Sequence, residues 1–312
     1  MTRSERHGEQ DFQTQWRVHV GAHKTATTHL QELLEGNDAN LLRHGVDFLP
    51  TAKTSPIVRS NDVVEKTGLR GLKQHISRLT TRRSEPTQSD RLRGIMRRKP
   101  TTVLSHEDQL GFTQHSLLSS LYKGTEKLRT IEQLPDAEKL DIFLSIRSFD
   151  TFFVSAFCEA RKPFHDMRNR LDDRKRTFRE SPPSWFEFAT RISNRFPNAG
   201  LHVWTFEDYL TDPNIAIQAL TGVHFDNLES LPAPSRTKSP SLRAIALAEG
   251  LDPQMSRRER MRQVQAIYLE HPKEPGEKID LFTEEETSWL KDCYRRDLER
   301  LEACDRITLL KA

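Results

Sequence analysis

Apolar and polar residues alternate from Trp16 to Val20 (WRVHV), the period of two that predicts a short strand. Gly21 breaks the pattern, and Thr25 to Leu34 takes up the spacing of a helix's first turns. Three more short apolar runs read as strands: Thr101–Ser105 (TTVLS), Leu140–Ile146 (LDIFLSI) and Leu201–Phe206 (LHVWTF). Leu41–Pro50 reads as a helix end at Gly45 followed by a short extended piece. Helical patterns lie between the strands. Phe149–Ala160 places Phe152, Phe153, Ala156 and Phe157 on one side, and Ser184 and Glu187 have capping-box spacing ahead of WFEFATRI. Thr283 and Glu286 repeat that spacing before the last helix. There Trp289, Leu290, Cys293, Tyr294, Leu298 and Leu301 recur at helical intervals and read as core. Short apolar strands alternating with helices predict an α/β, three-layer fold with a central, mainly parallel sheet. Such sheets bind ligands beyond the carboxyl ends of their strands, which directs attention to residues 21–29, 105–108, 147–155 and 206–209.

Composition narrows the class. The 312 residues are 35% apolar and 30% charged with a net charge of +3, a balance expected of a soluble globular protein. No run of about 20 apolar residues is present, so no membrane span is predicted. The polar opening MTRSERHGEQDFQTQ lacks the apolar stretch of a signal peptide. Cys158, Cys293 and Cys304 are odd in number and show neither metal nor disulfide spacing, which points to the cytoplasm. Residues 1–14 are expected to be a disordered tail ahead of a single domain spanning 15–312. Segments 52–100 and 161–180 carry no recognisable motif, and the second reads as a charged surface excursion. From Lys66 to Lys99, eleven Lys or Arg face two acids, a run that could grip a polyanion or simply be a solvated surface. Without interleaved aromatics to stack bases, no nucleic-acid partner is expected.

The chemistry concentrates after the first strand. At a strand–turn–helix, free N–H groups and the positive end of the helix dipole favour an anion. Lys24 adds a charge there, and Thr25, Thr27 and Thr28 add hydroxyls. This is not a Walker A loop, because His23 stands where that motif requires glycine. Farther along, Arg147 and Ser155 lie eight residues apart across the end of the third strand and the next helix, so they can share a face. An arginine fork with a hydroxyl suits a terminal phosphate.

His23-Lys24-Thr25-Ala26-Thr27-Thr28, followed by Leu30-Gln31, resembles the 5′-phosphosulfate loop of the sulfotransferases. That loop usually reads P-K-[TS]-G-T-T, and H-K-T-G-T-T in bacterial members; Ala26 in place of glycine is the departure. The Gly45–Pro50 stretch and IRSFDTFFVSAF, with Arg147 and Ser155 at the family's 3′-phosphate clamp, are similar too. WTFEDYL resembles the fourth-strand ending that lies near adenine. His29 replaces a tryptophan that often stacks on adenine, and Arg236 and Lys238 sit where a further loop usually covers the 3′-phosphate, without its usual R-K-G pattern.

The resemblance implies a P-loop-like fold and 3′-phosphoadenosine-5′-phosphosulfate as sulfuryl donor. His23, Lys24, Thr25, Ala26, Thr27, Thr28 and His29 would then hold the 5′ end. The acceptor would be a hydroxyl or amine, acidic or glycan-like molecules among the candidates, with the variable segments 52–100 and 161–180 on the acceptor side, and no metal is implied. Family members use a glutamate or a histidine near the end of the second strand as base. The sequence SHED offers both Glu107 and His106: the S-S-E ending of the bacterial relatives favours Glu107, and a hormone-type K-T-H pattern would favour His106. The rivals are a P-loop-like nucleotide kinase and a non-catalytic polyanion binder working through residues 66–99.

Overall fold

A computed structural model of the chain describes residues 12–64, 86–111, 113, 117, 121, 122, 128–226 and 239–312. Six parallel strands form one sheet in the order β2-β3-β1-β4-β5-β6. They are β1 (Thr14–His19), β2 (Val46–Leu49), β3 (Thr101–Ser105), β4 (Ala137–Ile146), β5 (Gly200–Thr205) and β6 (Ile307–Leu309). The helices are α1 (Thr27–Gly36), α2 (Asp38–Arg43), α3 (Thr51–Val64), α4 (Gln88–Arg93), α5 (Arg129–Glu132), α6 (Phe149–Ala160), α7 (Met167–Arg176), α8 (Trp185–Arg195), α9 (Phe206–Thr211), α10 (Asn214–Thr221), α11 (Leu242–Glu249), α12 (Arg257–Glu270) and α13 (Glu284–Glu302). None of the described helices is long and apolar enough to cross a membrane.

The alternation within the strands explains the layers. Trp16, Val18, Leu104, Ile142, Leu144 and Val203 point to one face and join a core with α6, α8 and α13. Phe48, Val103, Phe143 and Trp204 point to the other and pack on α1 and α10. Both faces are therefore covered, as a parallel sheet requires. Beneath α6 the rings stack in a chain, with Phe149 on Trp185 and Phe153 on Phe178. Each such buried side chain contributes about 1.5–3 kcal/mol.

Several boundaries differ from expectation. Thr14 belongs to β1 rather than to the tail; it is fully buried and its hydroxyl donates to the Lys99 carbonyl at 2.9 Å. The extended piece after Gly45 is a true strand, and β6 had no periodic signal because it is three residues long. Segment 161–180 is not wholly a surface excursion, since α7 buries Met167 and Leu171. Ser184 caps α8 by accepting from the Glu187 N–H and donates its hydroxyl to Asp297 (2.8 Å), without the reciprocal bond from its main-chain N–H to the Glu187 side chain. The Thr283–Glu286 box is complete.

Part of the basic run also has a structural role. Arg97 is clamped by Asp38 and Asp47 (2.6–2.7 Å), tying β2 to the approach of β3, and Arg93 bonds Asp136 at 2.9 Å. Residues 66–83 of that run lie outside the described residues.

β1 and β4 are neighbours whose outgoing connections lead to opposite sides of the sheet. That is the topological switch point, where an α/β sheet opens a crevice at its carboxyl edge.

Candidate functional site

The loop leaving β1 holds to β4 for two more residues, Val20 N–H bonding Phe143 O (2.9 Å) and Ala22 N–H bonding Ser145 O (3.2 Å). Gly21 is obligatory, because a Cβ there would lie 2.7 Å from the His19 ring. After it the chain turns through left-handed conformations at Lys24 (φ 67°) and Ala26 (φ 63°). Each costs a residue bearing a Cβ roughly 1–2 kcal/mol. Ala26 thus stands in a glycine-type conformation, and the helix starts at Thr27 instead of Thr25. Alternating hands of this kind turn successive N–H groups toward one point, an anion-binding nest. Among the described residues, no acceptor meets the N–H groups of Lys24, Ala26, Thr27 or Thr28. Strain plus free donors at a helix start is the local signature of an anion site.

A buried chain of hydrogen bonds supports the loop from below. The Thr25 hydroxyl donates to Ala22 O (2.6 Å), so its 2.5 Å contact with Ser145 must be donated by the serine. Ser145 Oγ then accepts from His19 Nε2 (3.2 Å), and His19 Nδ1 accepts from the Ser105 hydroxyl (2.9 Å). Gln31 of α1 closes the series by donating to the Ser105 carbonyl at 2.9 Å. This order makes His19 a neutral imidazole, and burial pushes its pKa down to about 3. The Thr25 side chain is therefore internal. Thr27 is also buried, its hydroxyl against Gly21, while Thr28 is exposed on the first turn. His29 turns to the Tyr209 hydroxyl (2.8 Å).

Arg147 follows β4 and reaches across the switch point. Its Nη1 donates to Lys24 O (2.9 Å), its Nε to the Thr151 hydroxyl (2.9 Å), and the guanidinium lies 4.2 Å from the centre of the Phe206 ring. The Trp185 indole donates to the Arg147 carbonyl (2.8 Å), linking this position to the aromatic layer. Glu207, expected near a nucleotide base, instead accepts from the Ser148 N–H (3.2 Å) and the Tyr294 hydroxyl (3.0 Å), bracing the same corner.

Lys24, Arg147 and Ser155 open onto one cavity of about 1020 Å³, bounded by α6, α12, the N-terminal part of α13 and segments 239–240 and 278–283. Sequence reasoning missed much of its wall. Arg147, just ahead of α6, and Thr151, Ser155 and Glu159 on it recur every four residues, so extending the Arg147–Ser155 reading by one turn would have found Glu159. That carboxylate stands 3.5 Å from Lys24 Nζ and 2.8 Å from Lys162 Nζ. Burial opposes its ionisation, but the two lysines outweigh burial and hold its pKa below the usual value. The polar face of α13, with Thr287, Ser288 and Lys291, belongs to the cavity as well. Its apolar face had drawn the whole helix into the core reading.

The SHED segment lies at the side of the loop and does not line this cavity. His106 is buried; its Nε2 faces the Ser55 hydroxyl (2.9 Å), and burial lowers its pKa. Glu107 is half-buried, and desolvation is the main cause of its raised pKa, with His23 and Lys24 pulling the other way. Asp108 is held well below the usual carboxylate range: burial resists, yet His23 and Arg59 (2.7 Å) prevail. The His23 ring is consequently part of a wall, between Asp108 (3.8 Å) and the Tyr122 hydroxyl (3.0 Å), and only its main chain belongs to the loop. Arg236 and Lys238 lie outside the described residues; the described chain resumes at Ser239, on the cavity wall.

No family model, curated protein or solved structure matches the chain.

Proposed function

We propose that the chain is a sulfotransferase, moving a sulfuryl group from 3′-phosphoadenosine-5′-phosphosulfate to a hydroxyl or amine acceptor. The observation that carries this reading is the meeting of a strained, donor-rich loop, Lys24, Arg147 and Ser155 at a single switch-point cavity. In this reading the loop and Lys24 take the 5′-phosphosulfate end, and Arg147 with Ser155 takes the 3′-phosphate. In the reaction the bond from sulfur to the bridging phosphate oxygen breaks as the bond from sulfur to the acceptor forms. Lys24 neutralises the charge that builds on the leaving oxygen, and catalysis is mainly positioning and charge stabilisation. The acceptor proton passes to Glu107, at the side of the loop, whose desolvated carboxylate is a stronger base than an exposed one, or to His106.

A binding comparison of adenosine 3′,5′-bisphosphate with ATP plus magnesium tests the reading. Tight binding of the bisphosphate without magnesium is expected, together with loss of turnover in Lys24→Ala at retained fold. Preference for magnesium ATP would replace it with a kinase, and binding of neither nucleotide would leave a polyanion binder.

A further inference from the structure

We infer that Lys273 supplies the second cation of the 3′-phosphate subsite, beside Arg147 and Ser155, an assignment that rests on the nucleotide reading above. A phosphomonoester carries about −1.5 to −2 charge at pH 7. Arg147 cannot match it alone. Of a guanidinium's five N–H groups, one on Nε is engaged by Thr151 and one on Nη1 by the Lys24 carbonyl, leaving three. Glu207 and Asp150 also offset part of its charge.

The other cations on the cavity wall divide clearly. Lys24 and Lys162 share Glu159, and Lys291 lies 3.9 Å from Asp150. Lys273 and Lys278 have no ion pair among the described residues. Between these two, the main chain decides. Lys273 N–H donates to Ser239 O (2.8 Å), Ser241 N–H donates to His271 O (3.1 Å), and Pro240 and Pro272 form an antiparallel bridge. The backbone of Lys273 is thereby fixed against another stretch of the cavity wall. Lys278 follows the turn at Gly276 (φ 82°), and among the described residues no main-chain hydrogen bond of its own anchors it. A lysine on a fixed backbone gives up less freedom when it closes on a phosphate.

Titration of wild type, Lys273→Gln, Lys273→Arg and Lys278→Gln with adenosine 3′,5′-bisphosphate and with adenosine 5′-monophosphate tests the assignment. Lys273→Gln should weaken the bisphosphate about tenfold, as loss of one charge-assisted contact does, and change the monophosphate by less than about twofold. Lys273→Arg should recover most of that loss, and Lys278→Gln should stay near wild type. The assignment is overturned if Lys273→Gln binds the bisphosphate as wild type does. It is equally overturned if that variant loses both nucleotides alike, or if Lys278→Gln loses as much. A wild type that binds neither nucleotide overturns instead the reading on which the assignment rests.

Discussion

The Arg147 guanidinium donates to the main-chain carbonyl of Lys24 at 2.9 Å, joining the strand ends on either side of the switch point. One residue thus faces the cavity and also holds the loop that carries the lysine. Arg147→Ala should weaken adenosine 3′,5′-bisphosphate on the order of tenfold or more, with a much smaller effect on adenosine 5′-monophosphate. Arg147→Lys keeps the charge and loses the fork, so it should recover binding more than turnover, which depends on where Lys24 points. Calorimetry with both nucleotides and single-turnover rates separate the two roles. Equal losses for the two nucleotides would make Arg147 purely structural.

Ala26 gives a stability test with an unusual sign. At φ 63° an alanine costs roughly 1–2 kcal/mol over glycine, while glycine's freer unfolded chain takes back about 0.4–1 kcal/mol. Ala26→Gly should therefore raise stability by up to about 1.6 kcal/mol, read as a higher urea midpoint at unchanged slope. Bisphosphate affinity should be kept. A lower midpoint would mean that the alanine methyl makes packing contacts worth more than the relieved strain.

Glu107 should show opposite effects on rate and stability. Its folded-state pKa is raised, chiefly by desolvation, so a base at this position loses activity as pH falls through a value above the ordinary carboxylate range. The stability linkage runs the other way. A carboxyl whose folded pKa is raised adds stability below its unfolded pKa, and that contribution disappears as pH rises through the folded value. Glu107→Gln should cost about 10²–10⁴-fold in turnover. At pH 8 the same variant should be no less stable than wild type. Retained turnover in Glu107→Gln with loss in His106→Asn would move the proton transfer to His106.

The strands were legible where a period of two marked them, as in β1, or where a short apolar run of five to seven residues did, as in β3, β4 and β5. β6 was not, because three residues after a long helix give no period to count. The charged run around α7 hid Met167 and Leu171, two apolar positions four apart among arginines. At the site, Lys24, Arg147 and Ser155 stood out because strand ends were the places to look. His19 did not. Its polar position in an alternating strand suggested solvent, whereas the second helical layer buries it against Trp204 at a ring distance of 4.9 Å. Left-handed backbone at Lys24 leaves no mark in a residue type that seldom adopts it, and at Ala26 its mark was the glycine of the loops it resembles. The cavity wall drawn from α12 and segment 271–283 depends on tertiary folding across more than a hundred residues, which local patterns do not report.

The buried chain beneath the loop also sets an order of events during synthesis. His19 reaches Ser105, 86 residues downstream, and Ser145, 126 residues downstream. Contacts that distant close late, because the entropy of long loops opposes them until the intervening chain is present. A nascent chain ending before β4 would carry every residue of the Lys24 loop without the β4 contacts that hold Val20, Ala22 and Thr25. Anion binding on the ribosome should therefore begin only after the α6 helix has emerged from the exit tunnel, well after the motif itself has been made.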